Sequence, residues 1–342
     1  MQYQNFDLHG VAEIIENDDG SISWLRVPSK VAERLEGRIA ASQVRGATGV
    51  ELRFVIRSGD SATVRMSRQG ERSYAPFHVY RGGVQGGNRD HEEDKIVDNG
   101  LHGYKISRSQ NLDRLKIISE KSGSSFSPEV IRILFDRGSV RIHGIDGDVC
   151  PPTPDMLPSR TLLTYGSSIT HGSNALTASH TWPSLVAHSL DLDLLNLGLA
   201  GSCLMEESMA SYVAELGRAG KWQVGILELG VNALSWDEEK ARRRSEAFLR
   251  TVCEANPDKP ILVISPFRNG MEYFWGETAS EVWRGILREV TEGLAYPNLT
   301  YMNGLEALDS IGGISADEIH PSIYGTDRIA EAVTERLRGI LH

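Results

Sequence analysis

The sequence is short of the features that mark several large classes of protein. Only 3 of 342 residues are cysteine, namely Cys150, Cys203 and Cys253. That number is odd and the spacing is not that of a metal-binding cluster, so neither a disulfide framework nor a zinc site is expected. Basic residues are in deficit, 36 against 46 acidic, giving a net charge of -10. Such a chain is a poor match for nucleic acid or for an anionic lipid surface, and neither partner is expected. No apolar run approaches the roughly 18 residues of a membrane span. The start of the chain, Met1 to Asp7, has no basic segment followed by an apolar one, so a cytoplasmic location is expected. What remains is an ordinary globular composition, 40% hydrophobic and 24% charged, over a length that suits two domains.

The two halves are patterned differently. Up to about residue 148, short apolar–polar alternations are broken by turns. Val50, Leu52, Phe54 and Ile56 alternate with mostly polar residues, and Ser58-Gly59-Asp60 then leads into Ala62, Val64 and Met66. Ile131 to Phe135, Asp136-Arg137-Gly138 and Val140 to Ile142 read as a second hairpin. A helical period is visible in this half only around Ser29 to Ala41. The pattern predicts a β-sandwich, jelly-roll-like, over residues 1–150. The segment Cys150-Pro151-Pro152-Thr153-Pro154 is an extended connection, because proline removes donors and disfavours helix before it. The second domain is assigned to 151–342.

There, apolar strands alternate with amphipathic helices. Strands are predicted at 161–165, 192–197, 224–229, 261–265 and 299–302. Ser235-x-x-Glu238 and Thr278-x-x-Glu281 predict helix starts, and a last helix is predicted from about Gly325 to Leu341. This alternation means a parallel sheet covered on both faces.

Ligands of an open parallel sheet bind beyond the carboxyl ends of its strands. Polar clusters fall at four such ends: Ser168 after the first, Gly201 after the second, Asn232 after the third, and Asp317 with His320 after the fifth. A serine hydroxyl needs a base to take its proton, and His320 is the natural one. Asp317 would hold the imidazole tautomer. A tetrahedral oxyanion needs preorganised donors, which the Ser168 and Gly201 backbone N–H groups and the Asn232 amide would supply. Each residue also has a plain structural reading. Ser168 could cap a helix, with Ser167 a rival nucleophile; Gly201 could simply serve a positive φ; Asn232 could be a turn residue. His171 is expected on a pocket wall or the surface. The run Asp90 to Asp94 reads as a solvated charged loop, Gly82 to Gly87 as a hairpin tip, and Met271 to Trp275 as either core or a substrate-pocket wall.

Taken together, these blocks resemble the SGNH, or GDSL-type, serine hydrolases over about residues 160–342. The resemblance implies a flavodoxin-like three-layer α/β/α domain. Ser168, Gly201, Asn232 and His320 are then the four block residues, and Asp317 is the acid of an Asp-x-x-His pair. His320-Pro321-Ser322-x-x-Gly325 is similar to the family's last block. Two positions depart from it, Ser167 and Ala233, where the family carries aspartate. The implied activity is a serine esterase or deacylase without metal or cofactor, acting through a Ser-His-Asp triad and an acyl-enzyme. Its expected substrate is a small-acyl, acetyl-like ester of a small molecule or carbohydrate. An acyltransferase with the same acyl-enzyme, or a non-catalytic carbohydrate-binding protein, are the alternatives. An exposed sandwich edge leaves room for a homo-oligomer.

Overall fold

The structure, a computed structural model, describes residues 1–68, 75–86, 94–97, 100–274 and 278–341. Its N-terminal part is two antiparallel sheets. One runs in the order Phe6–His9, Glu51–Ile56, Val130–Phe135, Ala75–Arg81, with short strands added at its edges. The other runs His102–Ser107, Ser61–Arg68, Val140–Asp146, Ile22–Leu25, Glu13–Glu16. Alternate residues of both sheets face a shared core, where Phe77 meets Tyr104 edge-on at 5.2 Å and Trp24 lies 5.9 Å from Phe135. This is a β-sandwich.

The structure corrects several details of the sequence reading. The two expected hairpins are not ladders. Glu51–Ile56 and Ser61–Arg68 lie in opposite sheets, as do Val130–Phe135 and Val140–Asp146. Each turn carries the chain across the sandwich, because each strand finds its hydrogen-bonding partners far away in sequence, as Ile131 does with Phe54. An 11-residue helix, Leu112–Ser122, was not expected in this half; it has one buried residue, and so no strong apolar stripe announced it. The helical period at Ser29 to Ala41 is realised as two single turns, Ser29–Ala32 and Ala40–Gln43. The run Asp90 to Glu93 and residue Trp275 lie outside the described residues.

The C-terminal part holds five parallel strands, β1 (Thr161–Tyr165), β2 (Asp193–Asn196), β3 (Val224–Glu228), β4 (Ile261–Ile264) and β5 (Leu299–Met302). They are ordered 2-1-3-4-5, the flavodoxin-like order, with the chain reversing direction across the sheet between β1 and β3. The helices are α1 (Trp182–Ser189), α2 (Glu207–Arg218), α3 (Glu238–Ala255), α4 (Thr278–Leu294) and α5 (Ile323–Leu341). Neighbouring strand residues point to opposite faces, so Leu163, Leu227 and Val263 pack on α2, α3 and α4, while Leu162, Ile226 and Leu262 pack on α1 and α5. α3 is capped by Asp237, which accepts from the Lys240 N–H at 2.8 Å, and not by Ser235.

The two parts share a core. Leu25, Val27, Val31 and Val44, all in the N-terminal half, are buried in the same cluster as the α2 and α3 side chains. At the start of β2, Asp193 takes a two-pronged hydrogen bond from Arg53 at 2.7 and 2.8 Å, and Arg53 also binds Glu51 at 2.8 Å. All three are buried. Burial alone would raise the Asp193 carboxyl and lower Arg53, but their mutual attraction wins and keeps both charged.

Candidate active site

β1 ends at Tyr165, and the chain turns through Gly166 into a single helical turn, Ser168–His171. Ser167 caps that turn: its hydroxyl accepts from the Ile169 N–H at 3.1 Å and donates to Glu228 at 2.6 Å. Both Ser167 hydroxyl functions are therefore used. The Ser168 hydroxyl instead stands 2.7 Å from Nε2 of His320. Nδ1 of His320 lies 2.8 Å from Oδ2 of Asp317. With Nδ1–H donated to the carboxylate, Nε2 is left as the acceptor for the serine proton. Residues 152 positions apart are thus in one hydrogen-bonded line.

Asp317 is held by more than His320. It accepts backbone N–H bonds from Ile319 and His320 at 3.1 and 2.9 Å, and hydroxyl and amide bonds from Ser315 and Asn174 at 2.8 and 2.6 Å. Desolvation pushes its carboxyl up, but the hydrogen bonds from His320, Ser315 and Ile319 outweigh it and hold it well below the usual range. The loop is pinned by Ser315 N–H donating to the His320 carbonyl at 2.8 Å and by the Ile314–Pro321 bridge. Asn174 was not singled out from the sequence. It sits in a left-handed conformation, φ 62°, six residues past Ser168, and nothing local marks it.

Gly201 has φ +62° and is exposed at the turn after β2. Neither the Ser168 nor the Gly201 N–H donates to a protein group among the described residues. Asn232 lies in the turn after β3, and its Oδ1 accepts from Cys203 N–H at 3.0 Å. That bond fixes the amide plane, and among the described residues Nδ2 has no hydrogen-bond acceptor. Ala233, where the resembled family has aspartate, is fully buried, and its carbonyl receives the Trp283 indole N–H at 3.0 Å. Here the indole braces the turn from the α4 side.

Glu228, the last residue of β3, is the main feature the sequence reading missed. It is fully buried, and one of its oxygens accepts from Ser167 N–H, Ser167 Oγ and Thr170 Oγ1 at 2.8, 2.6 and 3.0 Å. Desolvation raises its carboxyl to about 7, against the lowering effect of those bonds. The position reads as one more residue of an apolar strand, which is why it went unremarked. His171 is buried, not on the surface. Within the Met271 to Trp275 stretch, Tyr273 is exposed.

Comparison with known proteins follows the same line. A search of the curated proteins returns no significant match. Among solved structures, the chain is similar to a salicylyl-acyltransferase from a tetracycline biosynthetic pathway, with a TM-score of 0.77 and 16% identity over 98% of this chain and 95% of that one. It is also similar to family two carbohydrate esterases. The one from Cellvibrio japonicus has a TM-score of 0.63 and 15% identity over 98% and 95% of the two chains. The one from Clostridium thermocellum, in complex with cellohexaose, has a TM-score of 0.61 and 17% identity over 98% and 99%. At these identities the likeness is one of fold, and it extends over both parts of the molecule. The model of the GDSL-like lipase/acylhydrolase family matches residues 159–338, more than half of the chain, and the protein belongs to that family.

Proposed function

We propose that the protein is a serine esterase or deacylase that cleaves a small-acyl, acetyl-like ester, with a carbohydrate or other small alcohol as the leaving group. The observation that carries this reading is the unbroken line from Ser168 Oγ through His320 to Asp317, at 2.7 and 2.8 Å. Ser168 attacks the acyl carbonyl as His320 Nε2 takes its proton, and Asp317 stabilises the imidazolium. The Ser168 and Gly201 N–H groups and the Asn232 amide receive the oxyanion. His320 returns the proton to the leaving alkoxide, and the acyl group stays on Ser168. Water, deprotonated by His320, then releases the acid. Residues 151–342 carry this chemistry in the proposal, and 1–150 form the adjoining unit. The resemblance to the carbohydrate esterases supports a sugar ester.

Acid-quenched turnover of a chromogenic acetyl ester should leave the acetyl group on the peptide that contains Ser168. An adduct on any other residue would contradict the assignment. An acyl-chain series, run beside acetylated sugars, should show the rate falling as the chain lengthens. A second reading, transfer of the acyl group to an alcohol, draws on the likeness to the salicylyl-acyltransferase over 98% of the chain. It would appear as partition of product toward an added alcohol at the expense of acid.

A further inference from the structure

We propose that Arg26, in the β-sandwich half of the chain, is a positioning residue for the oxyanion loop that follows β2. Arg26 follows directly on the strand Ile22–Leu25, and its side chain reaches across to the parallel sheet. One terminal nitrogen donates to the carbonyls of Asn196 and Gly198 at 2.9 and 2.8 Å, and the other to the Gln43 carbonyl at 3.2 Å. The side chain is 1% exposed. Among the described residues no carboxylate pairs with it; its partners are backbone carbonyls. Burial pushes its guanidinium down to about 10. A buried cation without a counter-charge is costly, and an apolar side chain would fill the same space without that cost. What an apolar residue would lose is the grip on two carbonyls where the chain leaves β2.

That loop is the one that carries Gly201. It is already stitched to the nucleophile turn. Asn196 Nδ2 donates to the Thr170 carbonyl at 2.9 Å, Asn196 Oδ1 accepts from Gly198 N–H at 2.8 Å, and Leu199 N–H donates to the Gly166 carbonyl at 2.8 Å. Arg26 holds the same stretch from its other side, so the separation of the Ser168 and Gly201 N–H groups is set between the two parts of the molecule. The segment after Arg26 continues the contact. Gly37 packs so closely on Ser202 that a Cβ there would come within 2.3 Å of the Ser202 side chain, and Ile39 lies against Gly201. Neither the charge nor the contact follows from the proposed chemistry of residues 151–342. The sandwich half thereby helps to position the active-site loop.

The inference rests on the proposed role of Gly201, and the test separates the two. In the full chain, Arg26→Met keeps an extended apolar stem in the same space and removes every donor to the loop carbonyls. Rates on a chromogenic acetyl ester are measured per active site, with sites counted by a fluorophosphonate titrant. A boronic acid probes the hole directly, because its tetrahedral adduct places an oxygen there. Misplacing the loop should lower kcat about tenfold or more while KM changes by less than about threefold, since the loop acts on the transition state. Boronate affinity should fall in parallel, and the pH–rate profile should keep its inflections. A kcat per titrated site within about twofold of wild type, with only the number of active sites reduced, would overturn the proposal. If Arg26→Met does not fold, Gly37→Ala presses on the same loop from outside, and an unaltered kcat in that variant would overturn it equally. Turnover that survives Ser168→Ala would instead remove the proposed nucleophile and its acyl-enzyme, and with them the oxyanion on which this inference rests.

Discussion

At the scale of single residues, the division of labour between Ser167 and Ser168 depends on Glu228. The buried Glu228 carboxyl group accepts from the Ser167 N–H, the Ser167 hydroxyl and the Thr170 hydroxyl, which leaves Ser168 to face His320. Burial raises the Glu228 carboxyl from 4.5 to about 7, so the folded state prefers it protonated. The stability it contributes is complete below its unfolded value and is lost as pH rises through about 7. That shift corresponds to on the order of 3 kcal/mol between acid and neutral pH. Glu228→Gln should remove this slope, so thermal midpoints at pH 5 and pH 8 should converge in the variant while the wild type loses stability at pH 8. Parallel curves for the two proteins would show that Glu228 is not the titrating group. Ser168, Asp317 and His320 were legible as candidates, because serine, aspartate and histidine at strand ends are chemically conspicuous. Glu228, Asn174 and Arg26 were not, because their partners lie 61, 143 and 170 residues away and no local pattern records those contacts.

At the scale of elements, the parallel sheet was the most readable part. Strands buried on both faces are written as unbroken apolar runs, and all five fall within one or two residues of where those runs lie. The sandwich strands were readable one at a time, but their pairing was not, since alternation tells which face is buried and not which strand lies alongside. The start of α3 shows the same limit at finer grain. Ser235 and Glu238 fit a capping box by spacing, yet Asp237 makes the cap. Asp237→Ala should therefore lower stability by about 1 kcal/mol, readable as a shift in the urea midpoint, while Ser235→Ala should not. The opposite ranking would return the cap to Ser235.

For the molecule as a whole, the composition argued against broad classes and the pattern changed near residue 150, but nothing in it spoke of how the two parts are joined. They are joined by buried charge at both ends of the edge strand β2. Arg53 meets Asp193 where β2 begins, and Arg26 meets Asn196 and Gly198 where it ends. Among the described residues, Asp193→Ala leaves Glu51 as the carboxylate paired with buried Arg53, and breaking such a pair costs about 3–5 kcal/mol. Urea unfolding should show that loss, whereas a cost below about 1 kcal/mol would mean that the pair does not hold the halves together. The account as a whole depends on one hydroxyl. Initial rates on a chromogenic acetyl ester, compared between the wild-type protein and Ser168→Ala with equal circular dichroism spectra, test it most directly. The account predicts turnover by the wild type and a fall of at least about 10⁴-fold in the variant. Turnover that persists in Ser168→Ala would contradict it.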